Sequence, residues 1–497
     1  MRTDTQVVVV GAGPVGLLLA GELRLGGADV VVVERLAEPT TESRASTVHA
    51  RTMELFDQRG ILPRFGIPDR EARGHFGGIP LALDELPSPF AGLWKIPQSR
   101  IEAVLAEWAV GLGARVRRRH ELIGLVSEPD GVTVRLAGPD GALSLRADWL
   151  VGCDGERSTV RQLAGIPFPG ARADREMLRA DVAGVEVRGR RFERLAEGLA
   201  VAARRPDGVT RVMVHRFGAP PVERACDPSF AEVADVWAEV TGESIAHGTP
   251  LWVNAFDDTS RQAARYRAGR VLLAGDAAHA QLPVGGQALN LGLQDAANLG
   301  WKLAATVAGH APDDLLDSYH RERHPVGART LTNIRAQAHV LLGPHDVDPL
   351  RAMLAELMTS APVRRHLAAV IAGLDIRYDV GGRGDHPLLG RRLPPTPLTT
   401  GHGATSTSEL LAAGRGVLLH LAPDGAARYS AAAAPWAARV VSAVARREHA
   451  GPLAGLSGLL VRPDGHVVWV ADSGDDLDSA LRRWFAEPRT RSRRSTR

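Results

Sequence analysis

Residues 6–34 read QVVVVGAGPVGLLLAGELRLGGADVVVVE, and the reading of this stretch decides the fold. Residues 6–10 form a continuous β-branched run, the composition of a strand buried on both faces. Gly11-Ala12-Gly13-Pro14-Val15-Gly16 follows at once and opens a segment with helical apolar spacing. A second β-branched run then ends at Glu34. Strand, glycine turn, helix and strand make a βαβ unit, which belongs to a parallel sheet. In such a turn Gly11 permits the tight bend, Gly13 lets a pyrophosphate approach the backbone, and Gly16 lets helix and strand pack closely. Pro14 and Val15 stand at the helix start, where free amides hold phosphate charge. Glu34 is placed to accept hydrogen bonds from an adenosine ribose and to repel a 2′-phosphate. The turn is therefore expected to hold FAD or NAD rather than NADP.

Two further acidic turns follow at strand ends. In GRVLLAGDAAH (269–279) Asp276 sits on a glycine turn, and LPVGGQALN (282–290) then starts a helical pattern over 286–308. An FAD stretched across the sheet needs such a place. Asp276 offers a carboxylate to its ribityl hydroxyls, and the helix start at Gly286, Leu289 and Asn290 offers amides to O2 and N1 of the ring. The third turn is CDGERSTVR (153–161), with Asp154 and Gly155 at its apex.

The remaining pattern divides the chain. Helical spacing marks 52–59 and 100–112, and short strand-like runs mark 114–118 and 132–136. Alternating runs at 182–187, 199–203 and 211–216 predict an antiparallel sheet between 171 and 264, and 271–274 returns to the parallel type. A loop dense in Gly, Pro and Thr spans 379–404. Beyond it, strands are predicted at 417–421, 459–461 and 467–470, and a helix at 477–485.

Composition excludes several classes. The 497 residues are 44% apolar and 24% charged, which excludes wholesale disorder and points to two to four domains. Two cysteines, Cys153 and Cys226, exclude a disulfide framework and fit a reducing cytosol. No run of 18 apolar residues exists, so no membrane span is expected, and the protein is placed in the cytoplasm. The sequence pI of about 9.2 owes much to five arginines in the last nine residues. Without them the net charge falls from +3 to −2, and no nucleic-acid partner is expected. His320 and His324 stand four apart, yet with no third ligand they are read as packing residues, and no metal is predicted. Cys153 is read as a buried small residue. No cysteine follows Cys226, so the C-terminal part cannot exchange thiols.

The three turns, together with Glu34-Arg35, ESRASTVHARTMELFDQRG (42–60) and QDAANLGWKL (294–303), resemble one known family. It is the single-component FAD-dependent aromatic hydroxylases of the para-hydroxybenzoate hydroxylase type, above all the branch that oxygenates aromatic polyketides such as anthracyclines and angucyclines. The resemblance covers essentially the whole chain. It departs where the family's Pro-Pro-x-Gly-Gly-Gln-Gly has Leu282 and Ala288 here.

This resemblance implies an α/β fold in three parts. A GR2-type Rossmann-like FAD domain spans 1–170 and 265–385, and an antiparallel β-sheet substrate domain spans 171–264. A thioredoxin-like domain without CxxC spans 386–488, followed by a disordered basic tail at 489–497. It implies that Arg35 joins Glu34 at the cofactor, that Arg44 and Gln98 contact the flavin, and that Leu122 carries adenine through its backbone. Asp154-Gly155 would support flavin and nicotinamide. The implied reaction has NADPH, or NADH, reduce FAD, after which O₂ adds at flavin C4a and the hydroperoxide delivers oxygen to a phenolic carbon. No side chain is assigned as catalytic acid or base. With no second Rossmann unit, NADPH is expected to visit transiently. Baeyer–Villiger oxygenation of a polycyclic ketone and a redox-silent flavin-binding protein are the alternatives, and the chain is expected as a monomer or homo-oligomer.

Overall fold

The computed structural model describes residues 4–487 apart from 41–45, 225, 383–385, 447–450, 472 and 475, and apart from the side chains of 423–426. Arg44 and the basic tail lie outside the described residues. Strand Thr5–Val10, helix Pro14–Leu25 and strand Val30–Glu34 form the predicted βαβ unit. The central sheet places Val271–Leu273, Gly141–Gly152, Thr5–Val10, Val30–Glu34 and Arg115–Arg118 side by side, all parallel. Val7, Val8 and Val9 are fully buried, as the unbroken apolar run requires, because helices cover both faces of such a sheet. Helices Gln98–Gly111 and Gln287–Val307 both pack on helix Pro14–Leu25.

A five-stranded antiparallel sheet occupies the middle of the chain. Its order is Arg190–Arg194, Gly198–Arg204, Thr210–Arg216, Glu176–Ala183, Thr249–Asp257. The run expected at 182–187 is displaced: the strand is Glu176–Ala183. Val185 is only 2% exposed, so a buried side chain just past the strand end mimicked strand alternation. One face of this sheet is covered by helix Phe230–Thr241, through Trp237, Val233 and Val240. The other face, through Met177 and Leu199, packs on Leu282, Val284 and the far end of helix Asp317–Leu342.

Strands Gly416–His420 and Val440–Val444 run parallel, joined through helix Pro423–Ala433, and Gly458–Val461 and Val467–Val470 add antiparallel strands. Helix Leu477–Phe485 closes this C-terminal unit, which has its own core. The loop expected at 379–404 contains most of a hairpin, Pro397–Thr400 with Gly403–Ser406, whose short polar strands carry no apolar alternation.

Charges, not only apolar contacts, join this unit to the rest. Arg59 pairs with Glu22 at 2.6 Å and donates to the carbonyls of Leu411 and Pro463 at 3.0 and 2.8 Å. Lys302 donates to Glu322 at 2.8 Å, Arg462 donates to the same carboxylate at 2.6 Å, and Arg462 also pairs with Asp464. All of these side chains are buried.

Candidate active site

The register of the parallel sheet builds the site. Val33 stands opposite Val10, Val10 opposite Gly152, and Gly152 opposite Leu273. The residues that follow these four strand ends therefore emerge side by side at one edge. They are Glu34, the Gly11 turn, the Asp154 turn and the Asp276 turn. Carboxyl ends of parallel strands are where such sheets bind ligands.

Close contacts explain the glycines of the first turn. A Cβ on Gly16 would lie 2.0 Å from the Gly11 carbonyl oxygen, and one on Gly11 would lie 2.3 Å from that of Cys153. A Cβ on Gly13 would meet nothing within 4 Å, so open space lies beside the phosphate-facing turn. Pro14 opens the helix, and a Cβ on Gly275 or Gly292 would lie 3.0 or 2.8 Å from the Val15 side chain. Glu34 accepts from Ala12 N at 2.8 Å and from Leu36 N at 2.9 Å, so it orders the turn as well as facing outward. Arg35 is exposed. His120 N donates to the Glu34 carbonyl at 2.9 Å, which brings Leu122, buried at the start of strand Glu121–Glu128, alongside. Half-buried Gln98 starts helix Gln98–Gly111 and donates to Glu102 at 2.9 Å.

Asp154 accepts from Val160 N at 3.1 Å with one oxygen, while the other is buried without a partner; burial pushes its pKa up. Gly155 has open space beside it. Arg161, at the end of CDGERSTVR and outside the expected site, donates to Ala277 O and Glu156 O at 2.9 and 2.7 Å and so ties two acidic turns together. Asp276 is exposed at its turn. Asp295 holds that turn from behind: it accepts from Gly275 N at 3.2 Å, from His279 at 2.8 Å and from Arg323 at 2.7 Å. Burial works against the Asp295 carboxylate, but Arg323 and His279 outweigh it and hold its pKa below the usual range.

Asn290, expected at the ring through the amides of the helix start, is buried in the first turn of helix Gln287–Val307. Its side chain donates to Thr47 O and Gly286 O and accepts from His49 N, so its amide is committed to protein partners. Gly286 precedes helix Gln287–Val307 at φ 67°, and Leu289 is half-buried in its first turn. Ala288 adopts helical backbone there and is only half-buried, and Leu282 fills an apolar contact under the antiparallel sheet. The rings of His320 and His324 lie 4.7 Å apart, and among the described residues no group of side chains could hold a metal.

Comparison with known proteins adds the family. A family described as FAD binding domain matches residues 4–334, and one described as aromatic-ring hydroxylase, C-terminal, matches 386–488. The chain belongs to the FAD-dependent aromatic-ring hydroxylases. A 12-dehydrotetracycline 5-monooxygenase/anhydrotetracycline 6-monooxygenase of Streptomyces rimosus is 44% identical, over 98% of this chain and 100% of that one. A crystal structure of an aromatic hydroxylase from angucycline biosynthesis is 50% identical with a TM-score of 0.95, covering 98% of this chain and 100% of that one. Aklavinone-11 hydroxylase, solved with FAD and aklavinone, is 26% identical with a TM-score of 0.78, over 98% of this chain and 99% of that one. The protein is thus an oxidoreductase of the flavin monooxygenase class.

The edge described above fits the FAD of such a hydroxylase. It offers open space beside Gly13, a carboxylate at Glu34, an exposed carboxylate at Asp276, and buried polar atoms without partners at Asp154, His49 and Gln281. Among the described residues no helix is long and apolar enough to cross a membrane.

Proposed function

We propose that the protein is a cytoplasmic NADPH- or NADH-dependent monooxygenase that hydroxylates a phenolic carbon of a multi-ring aromatic polyketide. The observation that carries this reading is the placement of the antiparallel sheet over the turn at Leu282–Gly286. Its face there seats Met177 and Leu199 on Leu282 and Val284, and Phe192, Met213 and Phe256 lie only partly buried beside them. An apolar, aromatic roof over a flavin-facing turn suits a flat polycyclic substrate and excludes water. The names of the relatives, with tetracycline-type and aklavinone substrates, support the same class.

In this reading Glu34 holds the adenosine ribose, the Gly11–Gly16 turn the pyrophosphate, and Asp276 the ribityl chain. Arg35, Gln98, the Leu122 backbone and the Asp154-Gly155 turn complete the binding groove. Free amides of the helix start, from Gly286 to Leu289, face the pyrimidine edge of the ring and favour negative charge there. Bound FAD would relay the reducing equivalents of the nicotinamide and activate O₂, chemistry that belongs to the cofactor rather than to a side chain.

The test is NADPH and NADH consumption with a panel of multi-ring phenols, followed by product mass and NMR. A product heavier by one oxygen, with a new hydroxyl on a ring carbon, supports the reading. Oxidation of NADPH with no oxygenated product from any member, or oxygen inserted into a C–C bond, overturns it.

A further inference from the structure

The short strand Thr47–His49 lies against the turn that opens helix Gln287–Val307, and three hydrogen bonds fasten the two, with a fourth inside the turn itself. The His49 ring meets the Gly285 carbonyl at 2.9 Å through Nε2. His49 N donates to Asn290 Oδ1 at 2.9 Å, and Asn290 Nδ2 returns donations to Thr47 O and Gly286 O at 3.1 and 2.7 Å. The fit is tight, since a Cβ on Gly286 would lie 3.0 Å from that of Thr47.

His49 is fully buried, and burial pushes its pKa down to about 4. A neutral imidazole has one ring proton, and a carbonyl partner requires that proton on Nε2. Nδ1 is then an acceptor, and it has no protein partner. Gly285 and Gly286 both stand at φ 67°. Two consecutive glycines have many conformations open to them, so a bond to the Gly285 carbonyl selects one.

We infer that His49 is a positioning residue. Held as the Nε2–H tautomer, it grips the Gly285 carbonyl, fixes the Gly285–Gly286 turn and thereby sets the direction of the first free amides of the helix toward the flavin. The inference rests on the proposed placement of FAD at this turn. Amides so aimed stabilise the negative charge of the reduced ring, so His49 raises the preference for reduced over oxidised flavin.

The experiment compares the midpoint potential and FAD content of the purified holoenzyme with those of His49→Phe, His49→Gln and His49→Asn. Phe keeps a flat ring and removes the donor. Gln restores an N–H that reaches Gly285 O, and Asn is one methylene too short. His49→Phe is expected to keep its FAD and lose about tenfold in preference for the reduced form, a shift of about 30 mV to more negative potential for a two-electron couple. His49→Gln is expected to stay within about twofold of the parent. Equal potentials in the parent and His49→Phe overturn the inference. Should His49→Phe fail to hold FAD, the Gln and Asn variants decide, and equal potentials in those two overturn it. A parent protein that purifies without FAD overturns the placement of the cofactor instead, before any variant is read.

Discussion

Gly13 and Gly16 stand three residues apart in one turn and face opposite constraints. Gly16→Ala would drive a methyl into the Gly11 carbonyl oxygen at 2.0 Å, a backbone atom that cannot step aside. Gly13→Ala meets no protein atom within 4 Å at an ordinary N-cap conformation. Gly13→Ala is therefore expected to change flavin-free stability by less than about 0.5 kcal/mol while lowering FAD affinity at least roughly tenfold. Gly16→Ala should lose both folding yield and FAD. Urea melts of flavin-stripped protein and fluorescence titration with FAD separate the two cases. At Glu34 the carboxylate already orders Ala12 N and Leu36 N. Glu34→Ala then removes charge-assisted bonds to ribose worth about 1.5–3 kcal/mol, and FAD affinity should fall roughly 10- to 150-fold. Unchanged retention of FAD in that variant would remove Glu34 from the ribose site.

Among the elements, the helices Gln287–Val307 and Asp317–Leu342 carry the buried charge cluster. Burial alone would raise the Glu322 carboxyl, yet Arg462 and Lys302 bring its pKa down to about 2. A carboxyl lowered from an unfolded value near 4.5 contributes stability that is complete above that value and is lost as pH falls through 2. The unfolding free energy of the parent from urea melts should therefore drop between about pH 4.5 and 2, by roughly 3 kcal/mol from this group. Glu322→Gln should lack that portion of the drop and be less stable by about 3–5 kcal/mol at pH 7, since Lys302 and Arg462 lose their counter-charge. How far such features were legible depends on locality. The βαβ unit, the long helix after the Gly285–Gly286 turn and the last two strands each declare themselves within a short window. Asp295 and Glu322 do not: a carboxylate on a helix reads as a solvated face until its partners, from elements far along the chain, are brought to it. Helix Asp317–Leu342 went unpredicted because its charged and apolar residues are mixed and Pro325 interrupts it. The side-chain bonds of Asn290 to Thr47 and His49 are equally hidden, because they join residues more than 240 apart in the chain.

For the whole molecule, the question is what controls reduction of the flavin. Under the proposed function, with no second Rossmann unit among the described residues, a nicotinamide is expected to visit the ring transiently. A flavin reducible at all times would waste NADPH, and an aromatic ligand seated under the antiparallel sheet is expected to accelerate reduction well above the substrate-free rate. Stopped-flow reduction under anaerobic conditions, with and without multi-ring phenols, checks this. Equal rates with every ligand would mean that the roof does not govern access.

The bonds that Arg59 and Arg462 make between the two cores have a consequence in heat. Separating the C-terminal unit would leave Glu22 with Arg59, and Lys302 with Glu322, but would strip Arg59 of two carbonyls and Glu322 of its guanidinium. A half-opened molecule would thus expose ions whose remaining partners are insufficient, and it gains little from staying half folded. In a scanning calorimeter the chain should consequently absorb heat in one peak, with calorimetric and van't Hoff enthalpies equal, despite having several separate cores. Two resolved peaks would mean that the cores melt independently and that the ions between them are ornaments of the folded state rather than its latch.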